Sequence, residues 1–98
     1  MSRDYKMFRL WVRLFKDNHM LQDTVICNDE EDTRTHKVMG SLEKACYELD
    51  LPKPIWLSVN VNDFKKTSKC RFTQDSFIEE VPFGYMEINV IEEDNTWF

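Results

Sequence analysis

Between Tyr5 and Lys16 the character of the side chain changes at every step. Phe8, Leu10, Val12 and Leu14 fall on one side of an extended chain, and Met7, Arg9, Trp11, Arg13 and Phe15 on the other. A period of two predicts a long strand with one face against a core. The second face mixes rings with guanidiniums, so neither burial nor solvation alone accounts for it. Asp17, Asn18 and His19 follow as a polar turn, because Asp and Asn satisfy nearby backbone groups and tolerate left-handed dihedrals. Met20 to Cys27, with β-branched Thr24, Val25 and Ile26, reads as the return strand of a hairpin.

The period then lengthens. Val38, Leu42, Ala45 and Leu49 share one stripe, flanked by Met39 and Cys46, and predict an amphipathic helix from about Asp32 to Asp50. The acidic stretch Asn28 to Asp32 suits the positive end of its dipole, and Pro52 and Pro54 end it. His36, Gly40, Glu43 and Tyr47 lie on the side away from the stripe. A glycine inside a helix costs about 1 kcal/mol relative to Ala, and core packing does not explain Gly40 there. Ile55 to Leu57 reads as a short strand, Ser58 to Asp63 as a polar segment, and Asn62 to Lys69 as a basic loop or single helical turn. Cys70, Arg71 and Phe72 suit a short edge strand, and Phe77, Ile78 and Val81 look like anchors of a long connection. Gly84 introduces a clear strand, Tyr85 to Ile91. Met86, Ile88 and Val90 share one of its faces, and Tyr85, Glu87, Asn89 and Ile91 the other.

These elements predict an α+β fold in ββαββ order, one helix on a mostly antiparallel sheet of four to five strands. The chain has 98 residues, 42% of them hydrophobic, with only two glycines and three prolines, so one domain over 1–98 is expected. Its ordered core should run from about 5 to 91, with an acidic tail over 92–98. No apolar run reaches the length of a membrane span, and the N-terminus lacks the order of a secretory leader. Cys27, Cys46 and Cys70 are widely spaced and odd in number, which fits reduced thiols. A cytoplasmic protein follows from these readings.

Chemistry is sparse. No Cys or His pair has zinc-ligand spacing, no glycine-rich phosphate loop is present, and neither His19 nor His36 has a local partner that would activate a nucleophile. The expectation is a non-enzyme without metal or cofactor. The net charge of −5 is laid out in four alternating blocks: basic over 1–16, acidic over 17–50, basic over 51–75, and acidic over 76–98, where no Lys or Arg occurs. Such blocks either pair across neighbouring strands or segregate into surfaces that steer partners.

The order of hairpin, helix, proline-marked turn, anchored loop and strong last strand resembles the β-grasp, or ubiquitin-like, fold. The resemblance rests on Met7 to Phe15, Asp32 to Asp50, Leu51-Pro52, Thr73 to Ile78 and Tyr85 to Ile91. It implies a last strand parallel to the first at the centre of the sheet, although an antiparallel meander suits the same pattern. It also implies partner binding through the open sheet face. The sequence ends Asn95-Thr96-Trp97-Phe98 instead of Gly-Gly, so ubiquitin's conjugation chemistry is not implied. The chain also resembles small uncharacterised bacterial proteins of similar length, which brings no function with it.

The candidate contact residues are therefore Arg9, Trp11, Arg13 and Phe15 of the first strand and Tyr85 and Glu87 of the last, with Tyr47 on a second surface. Aromatic and Arg residues bury large areas and make directional contacts at binding hot spots. The same residues could instead be covered by the 58–81 connection or the tail. The expected function is docking on a larger protein, such as a nucleic-acid-binding one. The acidic groups around Asp29 to Asp32, Glu87 and Glu92 to Asp94 would fill a basic groove, as small inhibitors or adaptors from phages or mobile elements do. Two alternatives stand beside it. One is single-stranded nucleic acid on the aromatic and basic face, extended by Lys65, Lys66, Lys69 and Arg71. The other is a homodimer through that face.

Overall fold

In the computed structural model, which describes residues 8–28 and 32–92, the alternation after Phe8 becomes strand β1 (Arg9–Lys16). Asp17 and Asn18 turn it back with φ of 53° and 68°. Positive φ at both central residues is the type I′ geometry whose twist matches an antiparallel hairpin. The return strand is β2 (His19–Cys27), with a bulge opposite Leu14 and Phe15.

Helix α1 (Arg34–Glu48) starts at Thr33, whose hydroxyl accepts a hydrogen bond from the His36 N–H at 3.2 Å. Asp32, just before this cap, is held below the usual carboxylate range, first by its hydrogen bond with the His36 ring and then by the Thr33 N–H. Asp29 to Glu31 lie outside the described residues. The helix ends where Leu51 N–H donates to the Cys46 carbonyl and Asp50 N–H to that of Tyr47, with Asp50 left-handed at φ 58°. That bonding pattern is a Schellman motif.

A second helix, α2 (Ser58–Thr67), stands where the sequence reading has a polar segment and a basic loop, so the expected single helix and ββαββ order give way to ββααββ. Ile55 to Leu57 form no strand. That segment is tied by Ile55 N–H to the Ser76 carbonyl at 2.7 Å, and Trp56 sets its ring edge-on against Phe64 and Phe72. Strand β3 (Lys69–Phe72) is the expected edge strand, and β4 (Tyr85–Glu92) follows a connection containing one 3-10 turn, Gln74–Ser76. Phe77 and Val81 anchor this connection in the core, whereas Ile78 is 90% exposed and anchors nothing.

The sheet order is β2-β1-β4-β3, antiparallel throughout. The last strand does lie beside the first at the centre, but it runs opposite to it, which overturns both the parallel pairing of a β-grasp and the neighbour-to-neighbour order of a meander. With two helices between β2 and β3, the chain re-enters the sheet in the direction of β1. Its antiparallel neighbour β4 must then run the other way. Gly84 permits the close approach at which β4 begins: its N–H donates to the Phe15 carbonyl at 2.7 Å, and an added Cβ would stand 3.2 Å from that oxygen.

The core lies on one side of this sheet. Phe8, Leu10, Val12 and Leu14 meet Met86 and Ile88 from β4, Cys70 and Phe72 from β3, and Val38, Leu42, Ala45 and Cys46 from α1. Phe64, Phe77, Val81 and Phe83 join the same cluster. Apart from β3 itself, the described parts of the 58–81 connection that reach the core do so from the helix side, and no described residue covers the opposite face of the sheet; the tail expected as an alternative cover lies outside the described residues. No helix among the described residues is long and apolar enough to cross a membrane.

Candidate functional site

Residues two apart share a face of a strand, and the register lines these positions up across the sheet. One row runs Asp23, Arg13, Glu87, Arg71 through β2, β1, β4 and β3 in turn. Charge alternates along it, so the blocks of the sequence meet as opposite neighbours. The rows on either side are Val25, Trp11, Asn89, Lys69 and Met20, Phe15, Tyr85.

Glu87 is the centre of the face. It is 6% exposed, accepts from Arg13 Nη2 at 2.8 Å, and accepts from Arg71 Nε at 3.4 Å. The rings pack around these charges. The Arg13 guanidinium carbon sits 3.9 Å from the Trp11 ring centroid and 5.5 Å from that of Phe15, while that of Arg71 sits 4.6 Å from Tyr85. Phe15 and Tyr85 stack with centroids 5.1 Å apart. Trp11 completes the link by donating its indole N–H to Asp23 at 2.9 Å. Such cation–π contacts are worth about 0.5–1 kcal/mol each where water reaches them. Together they hold three rings and two guanidiniums in fixed orientations without any partner.

The structure thus brings Trp11, Arg13, Phe15, Tyr85 and Glu87 together and places Arg9 on the same face, half-buried at the end of β1. Tyr47 does not join them: it stands on α1 in the helix layer, 88% exposed. Asp23 was not among the expected contact residues, and Arg71 was expected only as part of the basic track of the nucleic-acid reading, yet both belong to the central row. The two-residue turn could have pointed to Asp23, since it sets which β2 residue faces Arg13. Nothing local points to the pairing of Arg71 with Glu87, because it depends on how β3 meets β4.

The acidic role expected of Glu87 fails on geometry, for a buried carboxylate held by two guanidiniums offers no negative charge to a basic groove. Over its described side chains the open face carries Arg9, Arg13, Lys69 and Arg71 against Asp23 and Glu87, a basic surface on an acidic chain. Its β3 end continues into a shallow cleft of ≈ 330 Å³ lined by Asp63, Lys66, Thr67, Lys69, Cys70, Arg71 and Glu87. Among the described residues no group of three or more His, Cys, Asp or Glu could hold a metal ion. Burial pushes the Cys46 thiol up to about 11 and the Cys70 thiol up to about 12, so neither is a ready nucleophile. Comparison with protein-family models, curated proteins and solved structures finds no match to this chain.

Proposed function

We propose that the chain is a non-catalytic module that docks on a larger protein through the open face of its sheet. The observation that carries this reading is the cluster around Glu87, in which rings and guanidiniums are oriented before any partner arrives and no described element covers them. Preorganised aromatic and Arg side chains lose little freedom on binding, which is where hot spots gain affinity. The excess of Arg and Lys on the face favours an acidic patch on the partner. A role as an inhibitor or adaptor of phage or mobile-element type is the finer form of this proposal. It draws on the acidic groups at 29–31 and 93–94, which lie outside the described residues.

Single-stranded nucleic acid is the second reading, favoured by three rings beside Arg13, Lys69 and Arg71 on one sheet. Against it, guanidiniums already occupy a face of Trp11 and of Tyr85, so a base would have to displace them.

Trp11→Ala and Lys69→Glu are the informative variants. Arg13→Glu is not, because it sets a second carboxylate against buried Glu87. Affinity capture of the tagged chain, with and without nuclease, should recover a partner that survives nuclease and is lost in both variants while circular dichroism stays native. Recovery that nuclease abolishes and that weakens steeply with salt would transfer the function to nucleic acid. A partner retained undiminished by both variants would remove the open face from consideration.

A further inference from the structure

The two edges of the sheet are built differently. Ser68 to Phe72 turn their even-numbered backbone groups toward β4, as Val90 N–H donating to the Ser68 carbonyl at 2.9 Å shows, so Lys69 and Arg71 direct theirs outward. Both outward carbonyls are capped. Asn60 Nδ2 donates to the Arg71 carbonyl at 2.8 Å, and the Thr67 hydroxyl to that of Lys69 at 3.2 Å. β3 is also only four residues long, and two of them are cationic. Shortness, charge and covering by a helix are the devices that protect an edge from pairing with another strand.

Among the described residues β2 is less protected over its C-terminal part: Asp23 is its one charge there, and α1 touches it on the helix side through Glu48, which accepts from the Thr24 hydroxyl at 2.9 Å, without capping the outward backbone groups. Asn28 N–H donates to the Phe8 carbonyl at 2.8 Å, which fixes the parity of the ladder: Gln22, Thr24 and Ile26 bond toward β1, and Asp23, Val25 and Cys27 point theirs away. Among the described residues nothing bonds to those outward groups. The strand is nine residues long with no Lys, Arg or Pro, and it exposes Leu21 at 48% and Val25 at 41%. Its one carboxylate, Asp23, is engaged by the Trp11 indole.

We propose that two copies of the chain pair antiparallel through their β2 edges, joining two four-stranded sheets into one continuous sheet about a two-fold axis at Thr24. A strand paired antiparallel with its own copy is self-complementary, which is the requirement of a closed two-fold dimer. The register follows from the charges on the open face and from regularity, and an axis at Val25 would carry the partner of Leu21 past Cys27, where β2 ends. An axis at Asp23 would set two carboxylates directly opposite, and one at Gln22 would place the bulged Leu21 in both central pairs and leave Cys27 without a partner. The Thr24 axis pairs Asp23 with Val25 of the second copy in both directions and lays Leu21 against Cys27 of the second copy. The pairing uses the backbone edge of β2 and sets the two open faces on the same side of the joined sheet, with the two β2 strands between their ring clusters.

Val25→Pro tests this pairing, because it deletes an N–H that points outward and takes no part in the β1 ladder. Sedimentation equilibrium of the full chain should show a mass rising with concentration from 11.9 kDa toward twice that value. Val25→Pro should weaken self-association at least about tenfold while circular dichroism stays native. Should the proline variant not fold, Val25→Lys places an edge cation at the same position and should weaken association in the same way. Lys69→Glu, on the open face at the far edge of the sheet, should leave the dimer intact, which separates the β2 edge from association through the open face. A mass of one chain at the highest concentration, or a dimer unaffected by both Val25 variants or broken by Lys69→Glu, overturns the proposal.

Discussion

Gly40 lies in the middle of α1, and among the described residues nothing outside its own turn of helix and its chain neighbours stands within 4 Å of the place where a Cβ would be. Nothing among the described residues requires a glycine there, so its effect on the folded state is the entropy that glycine loses on becoming helical. Gly40→Ala should raise the stability by about 1 kcal/mol in urea unfolding. A destabilised variant would mean that the helix packs more tightly than these contacts allow. Glu87 is the reverse case, a residue whose surroundings demand it. Glu87→Gln leaves Arg13 and Arg71 without their shared counter-charge, and the expected loss is about 1–3 kcal/mol. Most of that loss belongs to Arg13, whose side chain is 19% exposed, because solvent screens Arg71 at 61%. Arg71→Ala should therefore cost under about 1 kcal/mol, and a larger cost would show that the weaker-looking bond dominates. The alternation of β1 made the company of Trp11, Arg13 and Phe15 readable in advance. That Glu87 is buried was not readable, since the residues that neutralise it come from strands far away in sequence.

Among the elements, α1 carries nearly all its information locally. Its stripe, its Thr33 cap and the prolines that follow all point to one helix, and the boundaries move by only a residue or two. Its Schellman end places Asp50 at φ 58°, a conformation that glycine adopts without strain. Asp50→Gly should stabilise the protein by about 1 kcal/mol, read as a rise in the thermal midpoint. No gain would show that the Asp side chain offsets the strain. α2 is the opposite sort of element. Ser58 to Thr67 holds two valines and two asparagines, and only Asn60 and Phe64 are buried. The helix depends on what it touches: Phe64 enters the core, and Asn60 accepts from the Leu57 N–H while donating to the Arg71 carbonyl. A pattern of period 3.6 needs more than one apolar anchor, so no reading of this stretch alone would find the helix. Ile55 to Leu57 misleads for the same reason, since their apolar run meets the edges of Phe64 and Phe72 through Trp56 instead of a neighbouring strand.

For the whole molecule, burial of two thiols ties stability to alkaline pH. Free in the unfolded chain, Cys46 and Cys70 ionise near 9.0, whereas the folded chain holds their protons up to about 11 and about 12. The unfolded state therefore loses protons first. The contribution of these thiols is complete below pH 9 and declines as pH rises through the folded values. Urea midpoints at pH 8 and pH 10 should fall in that order, and Cys46→Ala with Cys70→Ala should flatten the decline. A slope unchanged by those substitutions would assign it to other groups. Exposed Cys27 should meanwhile react with thiol reagents well before the two buried cysteines. The open face and the capped β3 edge also belong to this scale, for both exist only because α2 and the 73–84 connection are committed to the helix side.

Local pattern determined which stretches become strands and helices where periodicity was strong. The alternation of β1 and β4, the Asp17-Asn18 turn, the stripe of α1 and its proline stop each act within a few residues. Tertiary structure alone decided the direction of β4 against β1, the existence of α2, the burial of Glu87 and the difference between the two sheet edges. A strand's pattern states which of its sides is apolar, but it does not state from which end the strand enters a sheet. That depends on how many elements the chain has already laid down and on which partners, distant in sequence, are there to receive it.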